Sequence, residues 1–181
     1  AFYETDVGAF YRGGRKLGLG SSAASTVALT AAALLDGEPG AEVSPERRDA
    51  IFEAAEAAHR RFQGGRGSGG GLAAATWGGF LGYRVRQPLE PFSGLHGVPD
   101  VPEQRAVGPS LVAPLAFPDD LELRAVWLGE PASTTGFIAS VERQLARDPE
   151  PIYATLDTIA GIAREAIDAA QAGRTAEAFV E

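Results

Sequence analysis

At 181 residues and 45% hydrophobic content, the chain is long enough for one sizeable core, or for one domain and part of a second. A formal charge of -8 and a pI near 4.8 argue against nucleic acid as the main partner, although an acidic protein still binds phosphates where its cations are gathered locally. No apolar run approaches the roughly 18 residues that span a bilayer, and without cysteine there is neither a disulfide framework nor a thiolate metal site. A cytoplasmic protein with no membrane partner is the expectation. Methionine is absent as well, so the sequence reads as an interior piece of a longer protein.

Residues 1–15 place aromatics ahead of Gly13-Gly14, which predicts one or two strands ending in a tight turn that delivers the chain to Lys16. The stretch Lys16-Leu17-Gly18-Leu19-Gly20-Ser21-Ser22-Ala23-Ala24 then reads as a tight loop entering a buried helix. Glycines let the backbone approach a ligand closely, and the first N–H groups of a helix lack intrahelical partners and carry partial positive charge. A phosphate can accept from them, and either serine hydroxyl can reach a metal ion. Lys16 is the only lysine among sixteen basic residues, a compact ammonium where the rest of the chain uses arginine. The same residues also fit an ordinary capped helix start, with Ser21 or Ser22 as N-cap. The loop is not a Walker loop, for the chain has no Gly-Lys pair, and it lacks the third glycine and downstream acid of a dinucleotide fingerprint.

From Ser22 to Leu35 nearly every residue is Ala, Val, Leu or Thr, which predicts a helix buried on most sides and ended by Asp36-Gly37-Glu38-Pro39-Gly40. Ser44-Pro45-Glu46 opens a second helix running to about Phe62, with an apolar stripe of Ile51, Ala54, Ala55, Ala58 and Phe62 and with His59 at its edge as a structural residue. Residues 64–71 hold six glycines and lead into Leu72-Ala73-Ala74-Ala75, so a glycine loop feeding an apolar helix start occurs twice. Two helix N-termini can converge on one polyanion; a flexible linker is the alternative.

Phe80–Val85 alternates as a strand. Residues 86–110, which include His96, carry five prolines and predict a surface excursion without regular structure. Leu111–Phe117 and Leu121–Leu128, separated by Pro118-Asp119-Asp120, suggest a hairpin or adjacent strands. Ser133 or Thr134 caps a helix to about Arg147. A last helix opens at Pro149 and Pro151, turns Ile152, Leu156, Ile159, Ile162, Ala163 and Ile167 inward, and ends at Gly173. Residues 175–180 begin a further amphipathic turn.

Three of these stretches together resemble the GHMP kinases, the family of galactokinase, homoserine kinase, mevalonate kinase and phosphomevalonate kinase. Lys16 to Ala24 is similar to the family's phosphate-binding motif. Ala58-His59-Arg60-Arg61-Phe62-Gln63-Gly64-Gly65-Arg66-Gly67-Ser68-Gly69 resembles the Ala-His, Gln-Gly-Lys, Gly-Ser-Gly segment of the phosphomevalonate kinase branch, and Trp127-Leu128-Gly129-Glu130-Pro131-Ala132-Ser133-Thr134 resembles its Trp-x-Gly-x-x-Ala-Ser-Thr stretch. The resemblance covers nearly all of this chain but only the middle of the family's length. The family's N-terminal motif is expected before Ala1 and its glycine-rich C-terminal motif after Glu181, so this piece alone is expected to be inactive.

That resemblance implies an α/β (α+β) architecture: residues 1–105 complete an N-terminal domain like domain 2 of ribosomal protein S5, and residues 106–181 begin a ferredoxin-like C-terminal domain. It implies ATP and Mg²⁺ as cofactors and a small-molecule phosphoryl acceptor as partner. ATP phosphates would lie on Gly18, Leu19, Gly20, Ser21, Ser22 and Ala23, with Ser22 also a Mg²⁺ ligand. Lys16, the catalytic residue, would face the transferred phosphoryl group or the acceptor's phosphate. Ser68, Gly69, Ser133 and Thr134 would line the acceptor pocket. One position departs from the pattern: Gly71 stands where the family usually has an aspartate proposed as the base. General-base catalysis is typically worth about 10²–10⁴-fold, so its loss slows turnover without necessarily abolishing it. Homoserine kinases resemble this chain in lacking that aspartate. Arg66 for the family's lysine is a milder departure. A kinase most like phosphomevalonate kinase is therefore expected, with a silent binding homologue or a kinase for another acceptor as alternatives. Asp6, Glu53, Glu56, Asp119 and Asp120 are the acids to inspect for a replacement base.

Overall fold

The computed structural model describes residues 4–35, 43–62, 68–85, 105–107, 110–129 and 134–173. Helices and small antiparallel sheets alternate, so the chain is α+β as expected. A 3₁₀ turn, Gly8–Phe10, leads into β1 (Tyr11–Arg12) and β2 (Arg15–Lys16), joined through Gly13 and Gly14. Both glycines have positive φ, 55° and 74°, as the turn of a tight hairpin requires. Helices α1 (Ser21–Leu34), α2 (Pro45–Phe62) and α3 (Gly70–Trp77) follow, then β3 (Phe80–Val85), β4 (Arg105–Val107), β5 (Ser110–Leu115), α4 (Thr134–Leu145) and α5 (Pro149–Gln171).

The start of α2 is the one its sequence signals. Ser44 is the residue before the helix, its Oγ accepts from the Arg47 N–H at 3.4 Å and its carbonyl from the Arg48 N–H at 3.0 Å, while Pro45 occupies the first helical position. Arg48 then reaches across to the carbonyl of Trp77 at 3.4 Å, a cation on the carbonyl end of α3.

The core forms where α1, α2 and α3 meet the sheet. Ala23, Val27, Ile51, Phe52, Ala55, Leu72, Ala73 and Val112 are buried together, with Trp77, Leu81 and Tyr83 packed against them. Phe52 and Trp77 meet edge to face, their ring centres 4.8 Å apart. The stripe of α2 is rotated from the expected one: Ile51 and Ala55 are buried, but their companions are Phe52 and Glu56, whereas Ala54 and Ala58 face outward and Phe62 is 94% exposed. In an alanine-rich helix either face tolerates alanine, and the large Phe52 decides the register. Helix α1 buries only Ser21, Ala23 and Val27 among its residues, and Leu29 and Leu34 are exposed. Helices α2 and α3 are its main packing partners among the described elements, and the face carrying Leu29 and Leu34 is exposed.

The sheet order is β3-β5-β4, antiparallel throughout, with Phe80 opposite Leu115 and Val107 opposite Ser110. It draws strands from both sides of residue 105. Strand β4 lies within the proline-rich stretch expected to lack regular structure; three residues are too few to show a period of their own, and pairing with β5 defines them. Pro114 sits beyond the last described partner of β4, and among the described residues β3 alone borders β5 there, where a missing N–H is tolerated. The Pro118 turn forms, with the Leu121 N–H donating to the Pro118 carbonyl at 3.1 Å, but residues 121–128 do not return as a strand. Leu123, Val126 and Leu128 are exposed there, apolar residues without a paired edge. On α5, Ile159 and Ile162 are also exposed, and the buried residues are Ala169 and Ala170. Among the described residues no helix is long and apolar enough to cross a membrane.

Candidate functional site: two glycine-capped helix starts

The hairpin feeds the first of these starts. Lys16 pairs with Tyr11 and is exposed at the end of β2, and the Leu17 N–H donates to the Phe10 carbonyl at 2.9 Å. Gly18 and Gly20 both take the left-handed conformation, φ 77° and 82°, which turns the backbone sharply into α1. Gly20 is the N-cap, so neither Ser21 nor Ser22 fills that position; both are already helical. A glycine cap offers no side-chain oxygen, and the only helical bond its carbonyl accepts is from the Ala24 N–H at 3.1 Å. Ser21 is 5% exposed and packs inward. Ser22 is exposed, so of the pair it is the hydroxyl open to a ligand.

The second start repeats the device. Gly69, φ 82° and ψ -11°, is the N-cap of α3, and its carbonyl accepts from the Leu72 and Ala73 N–H groups at 2.9 and 3.0 Å. Ser68 is exposed, and its Oγ reaches the Gly70 N–H at a long 3.4 Å. The two starts adjoin. A Cβ built on Gly71 would lie 3.3 Å from the Cβ of Ala23, so the first turn of α3 rests against the first turn of α1. Sequence alone suggested that the two N-termini could converge on one polyanion; the Gly71–Ala23 contact places them side by side. Both partners must be small for the helices to approach so closely.

The remaining candidates divide. Ser133 and His96 lie outside the described residues, as do Arg66 and Gly67, and Thr134 opens α4. Asp6 accepts from the Gly8 N–H at 2.7 Å and so shapes its own turn. Glu53, Asp119 and Asp120 are exposed. Glu56 is different: it is 2% exposed and Arg60 Nη2 lies 3.2 Å from its Oε1. It also stands beside Gly69, for a Cβ on that glycine would meet Glu56 Oε1 at 3.0 Å. Tyr83, which sequence reasoning did not single out, donates its hydroxyl to the Ser68 carbonyl at 2.5 Å. No local signal marks it, since its role depends on β3 lying beside the start of α3.

This donor set suits a polyphosphate. Two glycine-capped helix starts, neither with a side-chain cap, lie side by side, with the exposed Arg15 and Lys16 leading into one of them and the residues Ser22 and Ser68 exposed. The described residues contain no cluster of three His, Cys, Asp or Glu able to hold a metal ion alone. A hard divalent cation fits here only as one carried by phosphates, with a hydroxyl such as that of Ser22 and water completing its shell.

Known proteins bear on this arrangement. A phosphomevalonate kinase from Streptomyces sp. (strain CL190) is 35% identical over 168 residues, an alignment that takes in 88% of this chain and 41% of that protein. The chain thus spans about two fifths of the length of the curated relative it matches. No family model matches the chain, and no solved structure matches it.

Proposed function

We propose, from this phosphomevalonate kinase-like relationship, that the chain is the central part of an ATP-dependent small-molecule kinase with the GHMP fold, acting on a phosphorylated acceptor such as phosphomevalonate. The observation that carries the reading is the pair of adjoining glycine-capped helix starts joined at Gly71 and Ala23. In this reading the nucleotide's phosphates take the N–H groups of Gly18 to Ala23, Lys16 balances charge at the transferred group, and Ser68 and Gly69 border the acceptor with Ser133 and Thr134. Mg²⁺, when bound, would neutralise phosphate charge, with Ser22 as its protein ligand.

The balance of the step is compatible with Gly71 at the family's aspartate position. An oxygen of the acceptor's phosphate forms a bond to the γ-phosphorus of ATP, the bond from that phosphorus to the β,γ-bridging oxygen breaks, and ADP leaves. An alcohol would have to shed a proton on the way. A phosphate monoester has a second pKa of about 6 and has already lost that proton at neutral pH. No base is needed at position 71, and positioning with charge neutralisation carries the catalysis. Gly71 is therefore compatible with a phosphate acceptor, which needs no proton removed.

Steady-state ADP release by the full-length gene product tests this, with Mg-ATP and phosphomevalonate, mevalonate or no acceptor. Turnover with phosphomevalonate that falls away below about pH 6, as the acceptor's phosphate regains its proton, is the expected result. Turnover with mevalonate alone would contradict the phosphate-acceptor reading. ATP binding without turnover on any acceptor would favour the second reading, a silent nucleotide-binding homologue, for which Gly71 is also the motive.

A further inference from the structure

The two helix starts differ in what stands behind them, and the difference assigns work to residues outside the glycine loops. Gly69 is buried. A Cβ placed on it would lie 2.5 Å from Tyr83 Oη and 3.0 Å from Glu56 Oε1, so oxygens from β3 and α2 close on its α-carbon. The Tyr83 hydroxyl meanwhile donates to the carbonyl of Ser68, one residue earlier. Glu56 is itself held by Arg60 one helical turn later. Gly20, in the same left-handed conformation, has nothing within 4 Å of the same point.

We propose that Tyr83 and Glu56 are positioning residues that clamp the Ser68–Gly69 turn from behind, fixing the start of α3 against α1 and thereby setting affinity for the acceptor rather than for the nucleotide. The proposal rests on the reading that Ser68 and Gly69 border the acceptor. Tyr83 touches the peptide of Ser68 and leaves that residue's hydroxyl outward, so it acts through the turn and not on a ligand. The carboxylate of Glu56 lies at the positive end of α3 and adds electrostatic hold to the steric one.

The test uses the full-length gene product carrying Tyr83→Phe or Glu56→Gln, both of which keep side-chain volume. Amide hydrogen exchange is read at Leu72 and Ala73, whose N–H groups bond to Gly69, and at Ala24, which reports on α1. Loss of the Tyr83 hydrogen bond, or of the Glu56 charge at the helix start, predicts exchange about fivefold faster at Leu72 and Ala73, with Ala24 unchanged. In turnover the KM for phosphomevalonate should rise by a similar factor of about five, while the KM for ATP stays within about twofold. Unchanged exchange at Leu72 and Ala73, or KM values for both substrates rising together, overturns the proposal. Absence of acceptor-dependent turnover in the unsubstituted protein would instead contradict the kinase reading, and the exchange result then decides the clamp on its own.

Discussion

Helices α1 and α3 begin alike and are supported differently. Both are capped by a glycine with φ of 82°, yet Gly20 faces open space whereas Gly69 is buried beneath Tyr83 and Glu56. In the proposed reading the open loop takes the nucleotide's polyphosphate and the closed turn borders the acceptor. The same backbone device is backed by different side chains at the two starts.

Substitution at the two caps should break this likeness most sharply. Gly69→Ala combines a left-handed alanine with a Cβ pressed against two oxygens, and should cost about 3 kcal/mol of stability in urea unfolding. A cost equal to that of Gly20→Ala would mean the clamp is not rigid. Lys16→Ala should leave folding unchanged, since the side chain is exposed, and lower kcat by about 10²-fold if its ammonium stabilises transferred charge. Arginine at the same place should recover only part of that loss, because a planar fork replaces a point charge. Gly20→Ala should cost about 1 kcal/mol, the left-handed term alone, and raise the KM for ATP more than that for the acceptor. Gly71→Ala is the mildest. The gain in helix propensity opposes a Cβ contact of 3.3 Å with Ala23, and stability should change by less than about 0.5 kcal/mol.

Much of this was legible in the chain. The Gly13-Gly14 turn, the glycine loop before Ser21, the Ser44-Pro45 start of α2 and the strand at Phe80 are local signals with local causes, and they fold as read. What sequence did not reveal is set by distant partners. Strand β4 exists because β5 lies beside it, and residues 121–128 fail to pair although their composition suits a strand. Alanine blurred the register of α2, which hid Phe52 and with it the burial of Glu56. Ile159 and Ile162 follow the helical period but are left largely exposed among the described residues. Of the site, the glycine turn into α1 was legible in the sequence. Their joining through Gly71 and Ala23, and the clamp from Tyr83, come from tertiary packing.

The central claim is that Gly71 stands at the junction of the two helix starts and needs no base there. Its most direct test compares kcat/KM for phosphomevalonate in the full-length gene product with and without Gly71→Asp, at neutral pH. The account predicts acceptor-dependent turnover in the natural protein, and no more than about a tenfold difference from the aspartate variant, below the upper range of general-base catalysis. Turnover that appears only in the variant would contradict it, showing that the natural protein lacks a base it requires.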